Sequence, residues 1–296
     1  MINPHRFSIG PADASIAMSQ WGESGKPPAL LVHGTGFAGG VWDEIARELV
    51  STYTVYALDR RGHGASYKPD TYHFLDYADD ICRVIDALDL RDVYGIGHSA
   101  GATDLLLTAK LRPGLFTRLF VMEPTAMDPR TARSATLSEE SLSLLQGTLR
   151  RRAQFDSADA AFERYRTSPV FADWTETSLR AYVRHGFVPL SDRRVRLCCT
   201  PEIESVMLRP IYEVIEQVYV GDSRGNPFGG LAEIDCPVRL TTAAKSWPIY
   251  KEMAARAVSL IPQVSEMRFA GVGHCAGQEN PTLVLDALRI FAANDR

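Results

Sequence analysis

Apolar residues fall along this chain in two alternating rhythms. Solid runs at 29–32, 54–58 and 119–122 are too short for helices, and each stops at a loop rich in glycine or charge, which predicts buried strands. Between them Trp42, Ile45, Ala46 and Leu49, and later Phe74, Tyr77, Ile81, Val84 and Ile85, recur every three or four residues as one face of a helix does. Residues 16–21 alternate apolar and polar, as an outer strand would. The alternation resumes with strands at 238–242 and 267–270, a helix at 250–261, and a last helix that Asn280 and Pro281 cap. Strand and helix in turn at this spacing predict an α/β fold with a mostly parallel central sheet flanked by helices.

From 126 to 232 the strand rhythm stops while helical periods continue. Thr136 to Glu139 reads as a capping box, Phe162 with Tyr165 and Leu179 with Tyr182 and Val183 mark two helices, and Thr200-Pro201 opens another that Pro210 must end or kink. This predicts a core made of 1–125 and 233–296 with a helical cap, 126–232, inserted between its halves. The cap's arginines equal its carboxylates in number, so Arg150-Arg151-Arg152 and Arg193-Arg194 are expected on solvated faces, with a site for a substrate carboxylate or a partner as the alternative.

The chemistry centres on 93–102, where an apolar strand passes through Gly97-His98-Ser99-Ala100-Gly101 into an apolar helix. Glycines on either side of Ser99 let strand and helix approach closely, so the hydroxyl is raised at a sharp turn and faces a helix N-terminus. A serine hydroxyl needs a base, and the base works best when a carboxylate fixes its tautomer. Of seven histidines, His274 lies just past the last predicted strand, at the sheet edge where Ser99 emerges. Glu123 is the expected acid, since it closes an apolar strand where an unpartnered carboxylate would be costly. Asp104 and Asp59 are outside candidates. The N–H groups of Ala100 and Thr35 are expected to bind an oxyanion, and Gly34, Gly36, Phe37, His98 and Trp42 to surround the substrate or the turn. His33 and His63, in glycine loops, are expected to make structural hydrogen bonds.

Taken in order, His33-Gly34-Thr35-Gly36, Asp59-Arg60-Arg61-Gly62-His63-Gly64-Ala65-Ser66, Gly97-His98-Ser99-Ala100-Gly101 and Gly273-His274 resemble the α/β-hydrolase superfamily over nearly all of the chain except the cap. The resemblance implies a serine hydrolase of the carboxylesterase kind, with thioesterase, lactonase or C–C hydrolase as alternatives, and a ligand-binding receptor as a non-enzymatic one. It weighs against epoxide hydrolases and haloalkane dehalogenases, which use aspartate where Ser99 stands. Some dehalogenases place their acid in segments similar to Met122-Glu123-Pro124.

The remaining composition narrows the partners. A net charge of -4 disfavours nucleic acid and anionic membrane and suits a small ester substrate. Cys82, Cys198, Cys199, Cys236 and Cys275 have neither disulfide nor metal spacing, so they are expected as free thiols, with no metal and no cofactor. Residues 1–19 lack the apolar core of a leader and no stretch reaches membrane-spanning length, so a cytoplasmic monomer or homodimer is expected.

Overall fold

The computed structural model describes residues 3–125, 146–208 and 229–293. Among them, eight strands form one sheet in the order β1-β2-β4-β3-β5-β6-β10-β11. These are β1 (His5–Ile9), β2 (Ile16–Trp21), β3 (Pro28–Val32), β4 (Thr54–Leu58), β5 (Val93–His98), β6 (Phe116–Met122), β10 (Val238–Ala243) and β11 (Val264–Phe269). From β4 to β11 all neighbours are parallel, while β1 and β2 run antiparallel at one edge.

Period-two alternation explains why the central strands read as unbroken apolar runs. Ala29, Leu31, Val55 and Ala57 pack on one face with the helices α1 (Asp43–Leu49) and Pro281–Ala293. Leu30, Val32, Tyr56 and Leu58 pack on the other with α2 (Phe74–Ala87), α3 (Ala100–Leu111) and Pro248–Val258. Both faces are covered, so every position must be apolar. β1 escapes the sequence reading because it is an edge strand with little buried surface. The last helix begins as expected, with Asn280 Oδ1 accepting the Leu283 N–H at 3.0 Å.

Residues 146–208 correct one expectation. Alongside the helices Ala158–Arg166 and Glu176–Gly186, capped by Ser157 and Thr175, they hold a small antiparallel sheet of β7 (Gln154–Phe155), β9 (Val195–Leu197) and β8 (Phe187–Pro189). Strands of two or three residues cannot show a period, so the segment read as purely helical. Helical residues continue over 201–208, after Thr200-Pro201. The capping box at 136–139 and the effect of Pro210 lie outside the described residues. This layer docks closely on the core: a Cβ at Gly40 would stand 2.1 Å from the His185 ring, and Glu44 accepts from Thr175 Oγ1 and Ser178 Oγ at 3.3 Å each. Among the described residues no helix is long and apolar enough to cross a membrane.

Candidate active site

Strand β5 ends at His98, and Ser99 turns the chain into α3 with φ 55 and ψ -124, a conformation rare for a residue with a side chain. The turn is held by close backbone approach. A Cβ at Gly101 would lie 2.4 Å from the Val32 carbonyl oxygen, and one at Gly97 would lie 2.7 Å from the Ala102 Cα. Ser99 N–H also donates to the Met122 carbonyl at 2.8 Å, tying the turn to the end of β6.

The residues singled out by the sequence meet here. His274 Nε2 is 3.1 Å from Ser99 Oγ, and His274 Nδ1 is 2.7 Å from Glu123 Oε2. Glu123 is 2% exposed, and its carboxylate is fully engaged. Oε1 accepts the Ala243 N–H at 2.8 Å, and Oε2 also accepts the Ser246 hydroxyl at 2.6 Å. A buried carboxylate with three donors stays where it is needed, and it fixes Nδ1 as the protonated ring nitrogen, leaving Nε2 to accept from Ser99.

Several contributors carried no sequence signal. The loop after β10 holds no carboxylate, yet its Ser246 completes the shell of Glu123. Glu279 braces the His274 loop by accepting the Gly273 N–H at 2.6 Å and the Cys275 N–H at 3.3 Å. Tyr250 stacks on the His274 ring at 4.0 Å between centroids and 13° between planes. Burial pushes its phenol up to about 12, so it is a neutral ring. An imidazole that takes a proton becomes a cation against this face, an arrangement that favours the charge by about 0.5–2 kcal/mol. Tyr250→Leu should therefore lower kcat by roughly three- to thirtyfold, with Tyr250→Phe retaining most of it; steady-state kinetics of both variants checks this.

The other histidines act on the scaffold. Burial holds His33 down to about 3, so its neutral ring accepts the Arg60 N–H at 3.0 Å and donates to the Gly34 carbonyl at 2.7 Å. His63, also lowered by burial, accepts the Gly36 N–H at 3.0 Å and donates to the Arg61 carbonyl at 3.0 Å. His98 donates from Nε2 to the His274 carbonyl at 2.8 Å, while burial keeps its ring neutral. The outside acids are occupied elsewhere: Asp104 pairs with Arg60, and Asp59 accepts the Gly39 and Ala65 N–H groups.

A cavity of about 850 Å³ opens over Ser99, Ala100, Thr35 and His274. The N–H of Ala100, first residue of α3, has no carbonyl one turn back to bond, and that of Thr35 donates to no group among the described residues. Both border the space in which a carbonyl oxygen beside Ser99 would lie. Gly36 and Phe37 line the cavity as expected, joined by Phe155, Tyr165, Phe171 and Tyr182. Three expectations need correction. Gly34 and His98 lie beneath the lining, since a Cβ at Gly34 would already sit 3.0 Å from Ser99 Cβ. Trp42 is wholly buried in the core and reaches no substrate space. Arg151, expected on a solvated face, enters the cavity wall and pairs with Glu204.

Comparison with known proteins follows the same line. The model of the α/β hydrolase family matches residues 29–287. A 2-(acetamidomethylene)succinate hydrolase from Mesorhizobium japonicum is 23% identical over 91% of this chain and 89% of its own. A non-heme chloroperoxidase from Streptomyces lividans is 34% identical, but the match spans 41% of this chain and 45% of that relative. Among solved structures, E-2-(acetamidomethylene)succinate hydrolase superposes with a TM-score of 0.79 at 20% identity, covering 98% of this chain and 99% of the other. The thioesterase domain from the curacin biosynthetic pathway gives 0.72 at 20% identity, over 97% and 99%.

Proposed function

This chain belongs to the α/β-hydrolase family, and from that premise we propose that it is a serine hydrolase that cleaves carboxylic esters through an acyl-enzyme. Ser99 Oγ attacks the carbonyl carbon as His274 Nε2 takes its proton, and Glu123 holds the imidazole in the accepting tautomer and faces the imidazolium that forms. The oxyanion receives the N–H groups of Ala100 and Thr35. Collapse of the tetrahedral species breaks the C–O bond, and His274 returns the proton to the leaving alcohol. Water, deprotonated by the same nitrogen, then attacks the acyl-serine and releases the acid. Residues 146–208, which supply much of the cavity lining, act as a lid that excludes bulk water and selects the acyl group.

The observation that carries this reading is the unbroken run from Glu123 through His274 to Ser99, at 2.7 and 3.1 Å, opening onto a cavity. A fluorophosphonate probe should label the wild-type protein at Ser99 and leave Ser99→Ala unlabelled, as read by intact mass. A wild type that does not label, or an alanine variant that labels equally, would remove the reading. A second reading, with the same groups acting on a bond other than an oxygen ester, is favoured by the relative aligned over nearly all of both chains, whose name is 2-(acetamidomethylene)succinate hydrolase. Assay of ester, thioester, lactone and amide panels separates the two.

A further inference from the structure

Nine of the residues lining the cavity over Ser99 are aromatic, yet five arginines line it with them among the described residues: Arg60, Arg150, Arg151, Arg152 and Arg164. Among the described residues two carboxylates, Asp104 and Glu204, line it with them. The chain as a whole is acidic, with a net charge of -4, so this positive excess is local to the cavity. Arg60 is paired with Asp104, and Arg152 leans on Asp156 and lies over the Phe155 ring. Arg151 is paired with Glu204, while Arg150 and Arg164 form no ion pair among the described residues.

Arg151 also stands close to the chemistry. A Cβ built on Gly36, the residue after the oxyanion donor Thr35, would be 3.8 Å from Arg151 Nη1 and 3.6 Å from Glu204 Oε1. Glu204 Oε2 accepts from Arg151 Nη1 alone, and a planar fork with five N–H groups has donors to spare for a second carboxylate. A long alkyl chain here would strip water from a charged pair without replacing its hydrogen bonds. A carboxylate would instead complete a site that already carries surplus positive charge, in a walled space where such bonds are strong.

We propose that the acyl group cleaved by this protein ends in a carboxylate, which Arg151, supported by Arg150 and Arg164, binds while the scissile carbonyl sits at Ser99. The substrate class is thus a half-ester or related monoacyl derivative of a short dicarboxylic acid. This rests on the serine-hydrolase reading for the reaction, but not for the binding.

Two measurements keep the readings apart. The first compares kcat/KM for 4-nitrophenyl hydrogen adipate with that for 4-nitrophenyl hexanoate, which matches it in length and lacks the charge. Wild type should favour the anionic ester by on the order of tenfold or more, a preference that salt weakens. In Arg151→Met/Glu204→Gln, built so that no carboxylate is left unpaired, and in the exposed-helix variant Arg164→Met, the ratio should fall toward one through a higher KM for the anionic ester. Equal rates in wild type, or an equal loss on both esters in the variants, would overturn the proposal. The second titrates adipate into Ser99→Ala by calorimetry, where binding should weaken by about tenfold or more when the Arg151→Met/Glu204→Gln pair is added. Adipate binding that the added pair leaves unchanged would also overturn it. Adipate binding that depends on Arg151, in a protein whose wild type neither labels with fluorophosphonate nor cleaves an ester, would support the carboxylate site while removing the hydrolase reading.

Discussion

Glu123→Gln should lower kcat by on the order of ten-thousandfold with little change in KM, as loss of an orienting carboxylate does elsewhere. The hydrogen bonds around this side chain say why so isosteric a change is so damaging. Oε1 accepts a fixed backbone N–H from Ala243, which a glutamine can satisfy only with its own oxygen. That places the amide NH₂ at the position of Oε2, facing His274 Nδ1. Two donors cannot meet there, so the imidazole moves its proton to Nε2 and can no longer accept one from Ser99. The Ser246 hydroxyl can rotate to accept from the new NH₂, so the fold should survive. Steady-state kinetics with a thermal melt as control checks both halves; a melt unchanged and a kcat near wild type would move the orienting role off Glu123.

The sequence made this arrangement readable because each of its three residues interrupts a strong pattern. Ser99 sits between glycines where a strand becomes a helix, Glu123 closes an apolar strand, and His274 follows the last one. Such breaks are local and appear in one dimension. Ser246, Tyr250 and Glu279 break nothing, since a serine in a polar loop, a tyrosine on an amphipathic helix and a glutamate before a proline-capped helix are all ordinary. Their roles exist only once β10 and β11 lie side by side.

Arginine runs mislead for the opposite reason. Arg150, Arg151 and Arg152 look alike in sequence, but among the described residues only Arg151 pairs with a half-buried carboxylate fifty-three residues away. Likewise Trp42 follows a loop near the site and is suited to either a pocket or a core. Its place in the core, in one buried cluster with Trp21 and Ile45, is settled by packing that no local pattern encodes. The fold was more legible than the segment over the site because the central strands obey one rule, burial on both faces, over five or more residues each. The short strands β7, β8 and β9 obey none long enough to read.

Asp104→Ala should cost about 3–5 kcal/mol of stability, the loss typical when one member of a buried ion pair is removed. Arg60 and Asp104 have side chains only 4% and 2% exposed, and they meet through two bonds, Nε to Oδ2 at 2.5 Å and Nη2 to Oδ1 at 3.2 Å. Truncating the aspartate strands a guanidinium in the protein, with the Tyr77 ring at 4.1 Å and the Thr35 hydroxyl at 3.4 Å left beside it. Replacing both residues by apolar ones of similar volume, as in Arg60→Met/Asp104→Leu, should recover much of the loss, because the desolvation penalty disappears with the charge. Urea unfolding of Arg60→Met, Asp104→Leu and the double gives the coupling directly; additive losses would mean the pair contributes nothing as a pair. The effect should also reach the site. Asp104 lies one turn into the helix that Ser99 begins, while Arg60 follows β4, donates its N–H to His33 and lies 3.4 Å from the Thr35 hydroxyl. The pair therefore ties the helix that Ser99 begins to the loop that carries Thr35. In Asp104→Ala that loop loses its anchor to α3, so kcat should fall along with stability.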